Sequence, residues 1–198
     1  MRPSDNHTIR QQIRQARRQL SVQSQQQAAQ ALHHQAKQSG LFCHAKHIAL
    51  YLASDGEIDP SLLIDWLWQQ GKQVYLPVLH PFSQGRLLFL HYHCHTVMTT
   101  NKYGIREPRL DKNSVIPVRQ LDIICTPLVA FDQYGSRLGM GGGYYDRTLA
   151  PYAQSASPHR VGLAHDCQYV ESLTQQHWDI PLSNILTPSQ HWHWPPLR

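Results

Sequence analysis

Much that would announce a function is missing from this chain. Its four cysteines, Cys43, Cys94, Cys125 and Cys167, are scattered and form no C-x-x-C pair. That removes the common zinc and redox signatures, and a chain able to build its own core needs no disulfide framework. No apolar run approaches the roughly 18 residues of a membrane span, and the N-terminus, MRPSDNHT, is polar rather than signal-like. A soluble, cytoplasmic protein is expected, with no membrane partner. Charged residues supply only 16% of the chain, and Gln and His fill much of the polar surface. Neither the G-x-G-x-x-G nor the P-loop pattern occurs. No internal repeat or domain boundary stands out. No Ser, Cys or Glu sits in a nucleophile–base constellation.

What is present fits one globular domain spanning 1–198. The apolar fraction is 41%, and a chain this long buries roughly 70% of its unfolded surface. The net charge of +5 suits a polyanionic ligand without naming one.

The stretch Leu121 to Leu149 organises the rest. An apolar run, Leu121 to Cys125, is stopped by Pro127; a second, Leu128 to Phe131, ends at Asp132. Both read as buried strands, with Cys125 a packed core thiol. After a turn at Gln133-Tyr134-Gly135 come Gly139, Gly141, Gly142 and Gly143, then a helix-like segment from Tyr144. Glycines this dense would forfeit about 1 kcal/mol each in a helix interior. They suit a backbone that approaches a ligand with no Cβ in the way. Between a strand and a helix that ligand is most naturally a phosphate. Arg137 could pair with its oxygens and Asp146 could ligate Mg²⁺ on a nucleotide. The plainer reading is a glycine-rich turn with Arg137 and Asp146 as a surface pair.

The first 40 residues read as two helices packing on a sheet. Asp5 or Asn6 caps the first, which runs to about Leu20 with the apolar stripe Ile9, Ile13, Ala16 and Leu20. Arg10, Arg14, Arg17 and Arg18 line its other flank, as a solvated face or an anion site. Ser21 caps the second, Val22 to Ser39, and Gly40 stops it. His47 to Ala53 is the first buried strand. A helix begun at Pro60, behind an Asp59 cap, ends at Gly71, and a strand follows at Gln73 to Pro77. This order predicts a parallel βαβ unit, with ligands beyond the carboxyl ends of the strands, where Asp55, Glu57 and Asp59 fall.

Arg86 to His95 is a further strand that puts His91, His93 and His95 on one face. With nothing spaced to orient them they read as a surface ladder rather than a zinc site. Thr100 to Pro108 is a loop carrying Tyr103, and Asp111 to Gln120 a polar link. Ala153 to Pro158 is a surface loop. Arg160 to His165 and Asn184 to Thr187 are the last strands, the latter approached through Trp178-Asp179-Ile180-Pro181. The tail, 188–198, carries His191, Trp192, His193 and Trp194, and either docks or frays. The expected architecture is a three-layer α/β/α sandwich around a mostly parallel, Rossmann-like sheet.

The run R-L-G-M-G-G-G-Y-Y-D-R at 137–147, preceded by T-P-L-V-A-F-D at 126–132, resembles the signature of the 5-formyltetrahydrofolate cyclo-ligase family, also called 5,10-methenyltetrahydrofolate synthetases. The resemblance extends to the N-terminus, Asp55 to Asp59 and Tyr103 to Pro108, and weakens after about Pro151. It implies ATP-dependent cyclisation of 5-formyltetrahydrofolate to 5,10-methenyltetrahydrofolate, with Mg²⁺ as cofactor and folate, with or without a polyglutamate tail, as substrate; a monomer is expected.

For ATP the resemblance implies Arg10, Arg137, Leu138, Gly139, Met140, Gly141, Gly142, Gly143, Tyr144 and Tyr145. Asn6 stands where the family has a basic residue, and Arg14 is the candidate substitute. For folate it implies Leu52, Glu57 and Tyr103, with Met140 to Tyr144 shared; Asp55 is left out. Asp146 is the implied Mg²⁺ ligand. A second family carboxylate falls near Ser183, which cannot replace it, and Asp179 lies four residues earlier. Two other classes remain: a nucleic-acid module using the Arg10 to Arg18 face and tail aromatics, and a hydrolase or CoA-type transferase, which would need an activated nucleophile.

Overall fold

The structure, a computed structural model, describes residues 5–174, 176, 179–180 and 182–194. Trp178 and Pro181 of the expected approach to the last strand therefore lie outside the described residues. The chain opens with α1 (Asn6–Arg18), capped by Asp5, and α2 (Val22–Gln38), capped by Ser21. Then follow β1 (His47–Ala49), α3 (Ser61–Gln69), β2 (Gln73–Leu79), β3 (Leu87–Tyr92), β4 (Met98–Thr100), β5 (Arg106–Pro108) and β6 (Val115–Ile116). The second half holds β7 (Ile123–Pro127), β8 (Ala130–Phe131), β9 (Arg137–Leu138), α4 (Tyr144–Leu149), β10 (His159–Leu163), β11 (Asn184–Leu186) and β12 (His191–His193).

Eight strands form one sheet in the order β12-β11-β10-β7-β1-β2-β3-β6. The inner five, β11 to β2 in that order, are parallel; β12, β3 and β6 join antiparallel at the edges. The alternation of β1 and β7 sorts the core. Ile48, Ile123 and Cys125 face α2 and α3 with Leu32, Leu63 and Leu67; Ala49 and Ile124 face the other side with Phe89, Leu121 and Leu149. Two helices cover one face. The second layer is thinner, made of α4 and irregular chain, so the expected three-layer, mostly parallel arrangement holds.

Several boundaries differ from the sequence reading. Pro127 ends β7 rather than stopping the chain short of it. Pairing with β1 reaches only Ile124, so the N–H missing at Pro127 is not needed on that side. Leu128 to Phe131 is not a second sheet strand: only Ala130 and Phe131 pair, with β9, in a separate hairpin. The first strand is shorter than expected, because beyond Leu50, whose N–H still donates to Tyr75, the chain leaves to build a loop. Helix α3 starts a residue late, with Pro60 at the cap position and Asp59 Oδ1 accepting from Ser61 N at 2.9 Å. The segment expected as a plain loop around Tyr103 lies within the β4–β5 hairpin, and the polar link before Leu121 contributes edge strand β6.

The tail docks through residue 194. Trp192 stacks between Tyr169 and Trp194, at centroid distances of 5.1 and 6.3 Å, and Trp194 Nε1 donates to Gln133 O at 2.7 Å. Strand β3 ends at Tyr92, short of the expected His95, because the chain turns at His93, whose O accepts from Thr96 N at 2.9 Å; the rings of His91, His93 and His95 still follow one another at 5.7 and 6.1 Å. Among the described residues no group of three or more His, Cys, Asp or Glu is placed to hold a metal.

Candidate active site

A cleft of about 830 Å³ opens beyond the carboxyl ends of β1, β2 and β7. Its walls come from three places. The chain after β1 supplies Tyr51, Leu52, Asp55 and Glu57; the β4–β5 hairpin supplies Tyr103 and Arg106; the glycine loop supplies Gly139, Met140, Gly142 and Gly143, followed by Tyr144, Tyr145 and Asp146. This is where open parallel sheets bind ligands, because loops diverge there and leave a crevice.

The glycine loop needs its glycines at two positions. Gly141 and Gly143 have φ of 93° and 61°, a left-handed backbone that a side chain would strain. Arg10 Nε donates to Gly139 O at 2.8 Å, tying α1 to the loop. From the other side Arg147 bridges Gly142 O and Gly85 O. Tyr144 reaches across to the hairpin, its hydroxyl 2.7 Å from that of Tyr103. Tyr145 is directed inward, and its buried hydroxyl has no partner among the described residues; burial pushes that phenol far up, reinforced by nearby Glu57.

Glu57 lies deep. Its Oε2 accepts from Ser54 N at 3.1 Å and Ser54 Oγ at 3.3 Å. Burial pushes its carboxyl up, and the Arg17 guanidinium 4.0 Å away pulls it back down. A buried carboxylate with an open acceptor side suits a ligand edge rich in N–H groups.

The arginine face of α1 is not a solvated strip. Arg14 Nε is 2.8 Å from Asp55 Oδ2, Arg17 Nη2 is 2.8 Å from the same oxygen, and Arg18 pairs with Oδ1. Burial would raise Asp55, but these three hydrogen bonds hold it at about 2. Arg17 is wholly buried. Ile9, Ile13 and Arg17 fall at i, i+4 and i+8, which puts Arg17 on the apolar face of α1. Asp55, set aside on the sequence, is the one described non-glycine residue with a left-handed backbone, φ 52°. With these charges engaged, the basic helix offers little to a nucleic acid. Arg14, expected as a phosphate ligand, pairs with Asp55 through Nε and lines the cleft.

Arg137 is buried, where the plainer reading had a surface pair; it pairs with Asp146 Oδ1, donates through Nε to Ile180 O at 3.3 Å and still lines the cleft. Asp146 Oδ2 accepts nothing among the described residues. That leaves one carboxylate oxygen at the cleft wall, enough for Mg²⁺, which takes one or two carboxylates beside phosphate oxygens and water. Ser183 and Asp179 do not line the cleft; Ser183 Oγ accepts from Asn184 and Asp179 Oδ2 from Gln176 N. Asn6 donates to Thr174 O at 3.0 Å, a bond that needs no charge.

A cleft at the sheet's carboxyl edge, with a buried carboxylate and a glycine loop on its walls, defines an α/β enzyme acting on a small molecule. The chain belongs to the 5-formyltetrahydrofolate cyclo-ligase family, whose model matches residues 2–188. It is 50% identical over 182 residues to a 5-formyltetrahydrofolate cyclo-ligase of Escherichia coli K12, covering 92% of this chain and 100% of that protein. A Haemophilus influenzae cyclo-ligase is 50% identical over 186 residues, 94% of this chain and 99% of its own. The fold matches the NMR structure of Aquifex aeolicus 5,10-methenyltetrahydrofolate synthetase at 27% identity and TM-score 0.81, covering 98% of this chain and 94% of that one. A Mycoplasma pneumoniae synthetase shares the fold alone, at 24% identity and TM-score 0.73, over 93% and 99% of the two chains.

Proposed function

We propose that the protein converts 5-formyltetrahydrofolate and ATP into 5,10-methenyltetrahydrofolate, ADP and phosphate. The observation that carries this is the single cleft holding both a buried carboxylate, Glu57, and the glycine loop with Asp146. The chemistry requires both. A formamide oxygen is a poor leaving group, so it first takes the γ-phosphoryl group of ATP as ADP departs. The neighbouring folate amine then attacks the formyl carbon, loses its proton and expels phosphate as the five-membered ring closes. Such transfer depends on positioning and charge neutralisation more than on a protein nucleophile, consistent with a site that offers none.

In this reading Glu57 accepts hydrogen bonds from the pterin, Leu52 packs beside it, and Tyr103 stacks over the ring. Stacking of this kind contributes about 0.5–1.5 kcal/mol beyond area burial. Arg10 and the backbone from Leu138 to Gly143 hold the phosphates, Tyr144 and Tyr145 line the cleft, and Arg137 keeps Asp146 in place. Asp146 would hold Mg²⁺, which would supply positive charge beside the phosphates. We infer further that polyglutamylated folate is accepted and that the protein works as a monomer in the cytoplasm. In support, one chain builds every wall of the cleft, the described cysteines are all unpaired, and no described helix is long and apolar enough to cross a membrane. The test is methenyl-folate absorbance with and without ATP. ATP-dependent growth of the signal is expected; its absence overturns the reading.

A further inference from the structure

Arg17 is a charge placed inside the protein. Its side chain has 0% exposure, and an uncompensated buried guanidinium is strongly destabilising. Compensation comes from the walls of the cleft. Nε donates to Asp55 O at 2.8 Å, Nη2 to Asp55 Oδ2 at 2.8 Å, and Nη1 to Leu128 O at 3.3 Å. Nη2 also lies 3.9 Å from Met140 Sδ and 4.0 Å from Glu57 Oε1. One guanidinium thus touches the loop after β1, the chain after β7 and the glycine loop. The fit is close: a Cβ on Gly56, between the two acids, would come within 3.1 Å of Arg17 O.

We propose that Arg17 is a positioning residue for the reaction: it fixes the loop that presents Glu57 and supplies the positive charge that keeps Glu57 an acceptor. The proposal rests on the folate reading of the cleft. The groups facing Glu57 are few. Arg17 comes from α1, Asp55 and Ser54 from its own loop, Tyr51 from the extension of β1, Tyr145 from α4, and His165 from the end of β10. Burial drives Glu57 toward its neutral form; Arg17 is the first counterweight, and Asp55 acts weakly the other way. A protonated Glu57 would offer a donor where the pterin already has donors.

The test compares wild type, Arg17→Met, Arg17→Lys and Asp55→Asn, with KM for each substrate measured from pH 6 to 9 and folding checked by circular dichroism. Arg17→Met is expected to raise KM for 5-formyltetrahydrofolate at least tenfold at pH 6.5, to leave KM for ATP within twofold, and to recover in part toward pH 9. Arg17→Lys restores the acid side of the profile. Asp55→Asn, less buried and informative even if Arg17→Met does not fold, shifts the acid limb to lower pH. Equal losses for both substrates, a loss independent of pH, no rescue by Lys, or an upward shift in Asp55→Asn overturns the inference. Wild-type protein without ATP-dependent turnover would overturn the functional reading itself.

Discussion

Arg137 and Asp146 pair across the glycine loop, nine residues apart, with the arginine nearly sealed from solvent and the carboxylate at the cleft wall. On the proposed function Asp146 has two jobs, one structural and one toward the ligand, and substitution must separate them. Asp146→Ala would leave Arg137 buried without its carboxylate, at about 3–5 kcal/mol. Asp146→Asn keeps the shape and an oxygen for Arg137 but gives Mg²⁺ no charge. It is expected to lower ATP-dependent turnover on the order of a hundredfold while retaining a cooperative melt. Turnover titrated with Mg²⁺, alongside the melt, checks both halves.

Glu57→Gln separates the two substrates. A hydrogen bond to a charged group contributes about 1.5–3 kcal/mol, so KM for folate is expected to rise roughly ten- to a hundredfold while KM for ATP stays within twofold. Because burial disfavours the charged carboxyl, the neutral amide should not lower thermal stability. Steady-state kinetics and a thermal melt decide this, and equal losses for both substrates count against a pterin contact.

Gly162 is a core glycine on β10 whose role is space. A Cβ there would sit 2.7 Å from Leu182, 2.8 Å from Leu128 and 2.9 Å from Ile185. Gly162→Ala should destabilise the protein by about 1–3 kcal/mol through overpacking. Urea unfolding measures this; an unchanged midpoint would mean the neighbouring leucines give way freely.

Acid should weaken the fold in two windows. His165 is buried, and burial followed by Arg17 holds its imidazole below the usual value. Its unfolded form binds a proton first, so stability falls as pH drops below about 6.5. Asp55, held at about 2, contributes stability that is present above its ordinary range near 4 and lost as pH falls through 2. Solvent screening keeps that contribution to about 1 kcal/mol. Melting temperatures from pH 7 to 2, in wild type and His165→Gln, should show the upper window shrink in the variant.

Alternation and periodicity carried most of the fold. The βαβ start, the buried β7 and the capped helices α1 and α2 follow from patterns within a few residues of one another. The β8–β9 hairpin did not, because four apolar residues in a row look alike whether they join a sheet or lie over a helix. At the site, the glycine loop and Glu57 were legible as chemistry and by resemblance. Arg17 and Asp55 were not, because their meaning lies in a contact across 38 residues. A charge is read as surface until its partner is known. Arg137 carried two readings, an anion beside the glycines or a pair with Asp146 nine residues on, and only the pair is a contact within the chain.

Strand β12 lies past residue 188, where the match to the family stops. It lays three residues along β11, which would otherwise finish the sheet with free peptide groups. What remains outermost is a strand too short to recruit a neighbour and edged by His191 and His193. The extension works as a guard rail: shortening the chain at that point would leave catalysis to its own residues but invite molecules to adhere side by side, most of all when concentrated or warmed.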